Sequence, residues 1–541
     1  MEEQKKSELH SKIDQKIDQG MRLIEKGQKG LARMIFSRVG VIILLLMVQV
    51  ALMALFFIRL EEYLPHMLVI SALFSVFMAL YLLNTSTDPT AKITWLLVIV
   101  LMPAFGAPLY VFTRSDLGIR LMKKRLAFLM ESTKDSIQQD PEVLEALKEK
   151  DPGAAALAKY MSRGSCCPVY SGTGTKYYPL GDDMWPDMLE DLESAKDFIF
   201  MEFFIIDEGL MWGKILEILA KKAQEGVDVR LMYDGTCEFS TLPHDYPARL
   251  QALGIKCKMF SPVTPFLSTS YNYRDHRKIC VVDGKTAYTG GVNLADEYIN
   301  HIERFGHWKD TALRVEGKAV ASFTLLFLQM WCVYERELDI DRYEIDRYIK
   351  APCPVPEDAG GFVIPYGDCP LDSDKVGERV YMDILNRAKD YVYIMSPYLI
   401  LDGEMETALK FAAERGVDVR LVLPGIPDKI TPWALAKTHY RSLLDSGVKI
   451  YEYSPGFVHA KVFVADDSQA VVGTINLDYR SLYHHFECAA YMHGCSCIKD
   501  IKADVLDTIS KCAPVGKDFY TKEKFRLKLL GFIMKAVAPL I

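Results

Sequence analysis

Two stretches decide how this chain is read: "DHRKICVVDGKTAYTGGVN" (Asp275–Asn293) and "VHAKVFVADDSQAVVGTIN" (Val458–Asn476). Both follow H-x-K-x4-D-x6-G-x2-N. The first places His276, Lys278, Asp283, Gly290 and Asn293 in that order, and the second His459, Lys461, Asp466, Gly473 and Asn476. On a strand, residues i and i+2 project from the same face, so each histidine points with its lysine. Ile279, Val281 and Val282 anchor the first strand; Val462, Phe463 and Val464 anchor the second. Each strand is expected to turn after its aspartate and return toward the glycines. Gly290–Gly291 and Gly473–Thr474 permit close backbone approach at that point.

Working outward, the repetition extends upstream. "GVDVRL" occurs at Gly226–Leu231 and again at Gly416–Leu421, and "GIKCKMFSP" (Gly254–Pro262) parallels "GVKIYEYSP" (Gly447–Pro455). Two long copies in the same order mark an internal duplication rather than a solenoid. The expected fold class is α/β: two similar lobes, residues 165–350 and 351–512, each a β-sheet flanked by helices, related by a pseudo-two-fold axis. The Pro- and Gly-rich "APCPVPEDAGG" (Ala351–Gly361) marks the boundary. A site belongs in the cleft between the lobes.

Two histidines, two lysines and two asparagines in one cleft suit a phosphodiester. Lys278, Lys461, Asn293 and Asn476 can hold non-bridging oxygens and stabilise transition-state charge. One neutral imidazole can attack phosphorus, and the other can protonate the departing alkoxide and later deprotonate an acceptor alcohol. The spacing leaves open which histidine does which. No metal and no cofactor are required, because the lysines supply positive charge. Asp283 and Asp466 are expected to orient neighbours. "HGCSC" (His493–Cys497) has a spacing unlike common zinc sites.

The rest of the chain narrows the substrate. Three apolar runs, Val39–Ile58, Leu64–Leu83 and Ile93–Thr113, contain 20, 20 and 21 residues. Each is long enough to cross a hydrocarbon core of about 30 Å at about 1.5 Å per residue. Arg22, Lys26, Lys29, Arg33 and Arg38 precede them, and Arg114, Arg120, Lys123, Lys124 and Arg125 follow. Both basic flanks favour the cytoplasm, which demands an even number of crossings. Pro103, Gly106 and Pro108 are therefore expected to kink the third run or make it re-entrant. The expected organisation is a polar helix at 1–38, a multi-pass membrane segment at 39–113, a helical linker at 114–164, the two lobes on the cytoplasmic side, and a basic helix at 513–541. That last segment, with Phe525, Leu529, Phe532 and Ile533 among lysines and arginines, suits either an anionic membrane surface or packing on the core. The twelve cysteines follow no disulfide framework and read as reduced thiols.

Other classes fit less well. The net charge of −7 identifies no partner, and the cleft-flanking segments carry no extended basic run for nucleic acid. "YSGTGTKYY" (Tyr170–Tyr178) lacks phosphate-loop spacing and reads as a turn entering a strand. "GDDMWPDMLEDLESAKD" (Gly181–Asp197) reads as a solvated helix, and "SPVTPFLSTSYNY" (Ser261–Tyr273) as an acyl entry path or a packed loop.

The paired motifs resemble the duplicated HKD signature of the phospholipase D superfamily. "GHWKDTALRVEG" (Gly306–Gly317), the second motif running on to Glu487, and "ITWLLVIVLMPAFGAPLY" (Ile93–Tyr110) resemble one branch, the bacterial cardiolipin synthases. The resemblance covers about Ile93–Ile541. It implies transfer of a phosphatidyl group between two phosphatidylglycerol molecules, giving cardiolipin and glycerol through a phosphohistidine. It further implies that His276 is the nucleophile, His459 the acid and base, and Glu487 a support for a catalytic histidine. A membrane-bound phospholipase D or a phosphatidylserine synthase-like transferase is the alternative within the same superfamily.

Overall fold

The computed structural model describes residues 65–85, 88–114, 117–165, 167–262, 272–333, 342–351, 353–357, 359–372 and 374–540, with six further residues between 47 and 55. The expected helix at 1–38, most of the first apolar run and the loop residues 263–271 lie outside the described residues.

Nine strands form between Thr173 and Gly317: β1 (Thr173–Tyr178), β2 (Phe198–Phe203), β3 (Asp228–Asp234), β4 (Lys256–Phe260), β5 (Arg274–Asp275), β6 (Lys278–Val282), β7 (Thr286–Gly290), β8 (His307–Lys309) and β9 (Ala312–Gly317). Nine more follow: β10 (Phe362–Asp368), β11 (Tyr391–Met395), β12 (Asp418–Pro424), β13 (Lys449–Tyr453), β14 (Gly456–Val458), β15 (Val462–Ala465), β16 (Gln469–Gly473), β17 (His485–His493) and β18 (Cys512–Pro514). The first sheet has the order β1-β9-β7-β6-β2-β3-β4, and the second β10-β17-β16-β15-β11-β12-β13-β18. The shared order is the duplication seen in the sequence. The two "GVDVRL" copies become the equivalent strands β3 and β12. In each sheet three strands run parallel and the rest antiparallel. Strands such as β2 (FIFMEF), buried along their whole length, read as continuous apolar runs for that reason.

Apolar residues gather into one core on the outer face of each sheet and one core shared by both lobes. The helix Val320–Cys332 fills the shared core, where Phe327 stacks on Phe200 at 4.7 Å. The region expected to be a linker, 114–164, is not a free tether. Leu126 and Leu129 enter the shared core, and the helix Pro152–Ser165 packs on the second lobe through Ala154, Leu157, Ala158 and Met161. Tyr170 then exchanges backbone hydrogen bonds of 2.9 Å with Val363 of β10. The chain therefore touches its second lobe before it builds its first. "YSGTGTKYY" does enter β1, and the acid-rich stretch forms the helix Gly181–Ser194.

The kink expected in the third apolar run is present. The third run is two helices, Pro89–Leu101 and Pro103–Arg114, broken at Met102. Pro103 offers no N–H to continue the first helix, and Gly106 allows the second to fold back, since a Cβ there would lie 2.6 Å from the Val98 carbonyl oxygen. Trp95 meets Tyr110 edge-on at 5.2 Å, and Met78 and Leu82 of the helix Pro65–Leu83 close the small core between them. Among the described residues, no helix is long and apolar enough to cross a membrane. The C-terminal helix Phe525–Val537 packs one side on the helix Ile430–Asp445 through Gly531, and Thr94 donates to the Ala536 carbonyl at 3.0 Å. Its other side leaves Phe525 and Phe532 exposed.

The eleven described cysteines are free thiols. In the "HGCSC" stretch, Cys495 Sγ lies 3.5 Å from the Phe362 carbonyl oxygen and Cys497 Sγ lies 3.5 Å from Met492 Sδ.

Candidate active site

The site is assembled by two short ladders that cross between the lobes. β5, ending just before His276, pairs in parallel with the start of β17, just before Glu487. β14, ending just before His459, pairs in parallel with β8, just before Asp310. The His276 N–H donates to the Phe486 carbonyl at 2.9 Å, and the His459 N–H to the Lys309 carbonyl at 2.7 Å. Each histidine is thereby delivered to an acid of the opposite lobe.

Glu487 accepts from His276 Nδ1 at 2.9 and 3.0 Å. Asp310 accepts from His459 Nδ1 at 2.7 Å. Both carboxylates are fully buried. Burial holds the His276 imidazole well below its ordinary pKa, Glu487 opposes this, and Lys278 adds to it. A neutral ring donating Nδ1–H to Glu487 keeps its Nε2 lone pair free, the form a nucleophile needs. Burial would raise Glu487, but His276, which donates to it, outweighs this and keeps the carboxylate ionised. Burial and Lys461 push His459 down to about 4, against the pull of Asp310.

The lysines join the same centre. Lys278 Nζ donates to the His276 carbonyl at 2.6 Å, and burial lowers it to about 8 despite Glu487 and Asp310. Lys461 Nζ bonds the His459 carbonyl and lies 2.9 Å from His459 Nδ1; burial lowers it to about 7 despite Asp310. Strand alternation holds as read. Arg277, between His276 and Lys278, faces away and donates to buried Glu202 at 2.7 Å.

The motif glycines serve close approach. A Cβ at Gly291 would collide with the Asp310 carboxylate, and one at Gly473 with Ala489. Gly290 sits at φ +147° against the Thr311 carbonyl. Thr474 Oγ1 donates to Glu487 and fixes that carboxylate.

Other expected site residues lie elsewhere or are already engaged. Asp283 and Asp466 stand at the far ends of their strands, both at φ +51°. Asp283 accepts the backbone N–H groups of Lys196, Asp197 and Phe198 at 2.8–3.2 Å. Asp466 accepts those of Lys389, Asp390 and Tyr391 at 2.8–3.0 Å. They close turns and orient no catalytic group, which corrects their assignment to the chemistry. Asn293 is partly engaged by the protein: its Oδ1 accepts from Ile205 N–H at 3.0 Å, and one of the two N–H groups of its Nδ2 donates to Tyr298 at 2.8 Å. Asn476 Nδ2 reaches Asp478 at 3.4 Å, while its buried Oδ1 has no partner among the described residues.

Asp310 was not singled out from sequence. Its signal lies in the duplication: an acid follows the motif histidine by 34 residues in the first copy and by 28 in the second. Unequal loops hide the match until β8 and the start of β17 are seen in equivalent places.

Two sheets of the same order, two motif histidines on cross-lobe acids and paired lysines define the phospholipase D class. Comparison with known proteins narrows it. Residues 188–331 and 381–505 match the family described as "Cardiolipin synthase, PLD-like domain", and residues 67–114 match "Phospholipase_D-nuclease N-terminal". A Streptococcus mutans serotype c protein described as "Uncharacterized protein" is 55% identical over 85% of this chain and 99% of its own. Cardiolipin synthase 2 of Bacillus anthracis is 31% identical over 84% of this chain and 87% of its own, and cardiolipin synthase of Geobacillus kaustophilus 32% identical over 86% and 92%. The phosphatidylserine synthase structure from Haemophilus influenzae Rd KW20 shares the fold, with a TM-score of 0.56 at 12% identity over 72% of this chain and all of that one. The chain belongs to the cardiolipin synthase family of the phospholipase D superfamily and is a phosphatidyltransferase.

Proposed function

We propose that the enzyme makes cardiolipin and glycerol from two molecules of phosphatidylglycerol. The observation that carries this reading is the pair of motif imidazoles, each fixed through Nδ1 by a buried acid of the other lobe. His276 Nε2 attacks phosphorus, and the bond from phosphorus to the headgroup glycerol oxygen breaks. His459 gives that oxygen a proton, leaving a phosphatidyl group on His276. The headgroup hydroxyl of a second phosphatidylglycerol then returns a proton to His459 and displaces His276 from phosphorus. The proton count closes over the cycle. Lys278 and Lys461 stabilise the charge that gathers on the non-bridging oxygens. An anionic phosphodiester between these groups favours the protonated form of His459, which burial disfavours in the free enzyme.

The membrane supplies both substrates. Exposed Leu73, Phe77, Ile93, Val100 and Leu101 of the N-terminal helices, together with Phe525, Leu529, Phe532 and Ile533 of the C-terminal helix, support attachment to a bilayer. Lys524, Arg526, Lys528 and Lys535 beside the second group suit an anionic lipid surface.

The test is product analysis with purified protein and phosphatidylglycerol as the only lipid. Equimolar cardiolipin and glycerol, absent with His276→Ala, are expected. Peptide mapping after an alkaline denaturing quench is expected to find the adduct on His276. Phosphatidic acid as the main product would instead make the enzyme a hydrolase, and an adduct on His459 would reverse the two roles.

A further inference from the structure

A third histidine stands at this site. His485 opens β17 two residues before Glu487, so both side chains leave the same face of the strand. Phe486 between them turns the other way, onto Phe260 at 5.6 Å. The His485 ring lies 5.4 Å from that of His276, tilted by 38°, with Phe204 beside both. It is 7% exposed. Neither of its nitrogens has a hydrogen-bond partner among the described residues. Nδ1 is 3.6 Å from Glu487 Oε1, too far for a hydrogen bond. Nε2 lies on the ring edge opposite Nδ1.

Buried polar groups are normally paired, and one left unpaired beside reacting atoms needs a reason. Two ligand chemistries meet the geometry. His276, His485 and Glu487 bring three possible ligand atoms within 4.8 Å, a spacing a divalent cation can use. The field argues for the other. Lys278 and Lys461 are buried at the same centre, and the surroundings that lower them disfavour further positive charge. An anion is what the pocket lacks.

Building on the phosphatidyl-transfer reading, we propose that His485 binds the phosphate group at the reaction centre, its Nε2–H donating to a non-bridging oxygen of the phosphate held against His276. It adds an imidazole N–H donor to the charge of the two lysines, at a centre where Asn293 is partly engaged by Ile205 and Tyr298.

The experiment uses the full chain in detergent with inorganic phosphate as the probe, titrated calorimetrically into wild type, His485→Ala and His485→Asn. His485→Ala is expected to weaken phosphate binding about tenfold and to raise KM for phosphatidylglycerol by a similar factor, while His485→Asn, which keeps an N–H donor, recovers to within about threefold. Melting curves of both variants confirm that the fold is retained. Phosphate binding unchanged in His485→Ala overturns the proposal. So does equal impairment of the two variants, which marks a packing role. One-to-one Zn²⁺ binding lost in His485→Ala, without phosphate binding in wild type, assigns the residue to a cation instead. If phosphate binding responds as expected but no variant, nor wild type, makes cardiolipin, the phosphate role of His485 stands and the choice of lipid falls.

Discussion

Glu487 of the second lobe holds His276 of the first through Nδ1 at 2.9 Å, while the adjoining backbone bond from His276 to Phe486 locks the strand that carries each. Asp310 and His459 repeat the relationship with the lobes exchanged. Neither lobe alone supplies both members of either motif histidine–acid pair, so the site depends on the interface.

Amide variants test the pairing. Glu487→Gln and Asp310→Asn keep the size of the acid but remove the charge that orients Nδ1–H. Each is expected to lower kcat about 10²- to 10⁴-fold with a small change in KM. Equal loss in both, and no further loss in the double variant, is the outcome expected of groups that act as one unit.

The pH profile follows from the lysines. Binding of a phosphodiester needs both charged, so their values of about 7 for Lys461 and about 8 for Lys278 steepen, between these pH values, the fall in kcat/KM that loss of the His459 proton begins at about 4. His276 is held well below its ordinary range, so its neutral form persists at neutral pH and its titration adds no limb there. Steady-state rates from pH 5 to 10 test this. A kcat/KM that stays level to pH 10 would contradict it.

Lys461 should cost stability. It is a base with a depressed folded pKa, so the unfolded chain binds more protons between about 7 and the ordinary value of 10.5. Wild-type stability from this group therefore rises with pH across that window, and at pH 7 and below its burial cost is largely present. Lys461→Met is expected to abolish turnover yet raise Tm at pH 7 by about 2–4 °C, with a smaller gain at pH 10. Thermal melts at the two pH values provide the check.

Asp283 should behave in the opposite way. Asp283→Asn removes a carboxylate that accepts three backbone N–H groups. A loss of about 1–3 kcal/mol in denaturant unfolding is expected, with kcat of the folded protein within about twofold of wild type. A large fall in kcat at unchanged stability would return Asp283 to the chemistry.

The exposed face of the C-terminal helix can be tested by substrate form. Phe525→Asp with Phe532→Asp places charge on its two most exposed aromatic positions. Turnover of phosphatidylglycerol in vesicles is expected to fall about tenfold or more, while turnover of short-chain, monomeric phosphatidylglycerol stays within about twofold. An equal fall on both substrates would make the helix a packing element only.

By itself the sequence determined the duplicated α/β lobes, the His-x-Lys faces and the phosphodiester chemistry. These rest on local rules: strand period, glycine placement and two copies in register. Residues that are neighbours in sequence and share a strand face stay neighbours in any fold of that strand. Only the tertiary structure decided the partners. The His459–Asp310 pair spans 149 residues and the His276–Glu487 pair 211, and each is set by a ladder of two or three residues too short to carry a pattern. The same holds for the motif aspartates and Asn293. Their spacing marks them as special, but whether a carboxylate or amide meets substrate or backbone depends on which chain segment packs beside it. His485 was invisible for the converse reason: one histidine among eleven acquires meaning only when its nitrogens, unpaired among the described residues, are found next to His276.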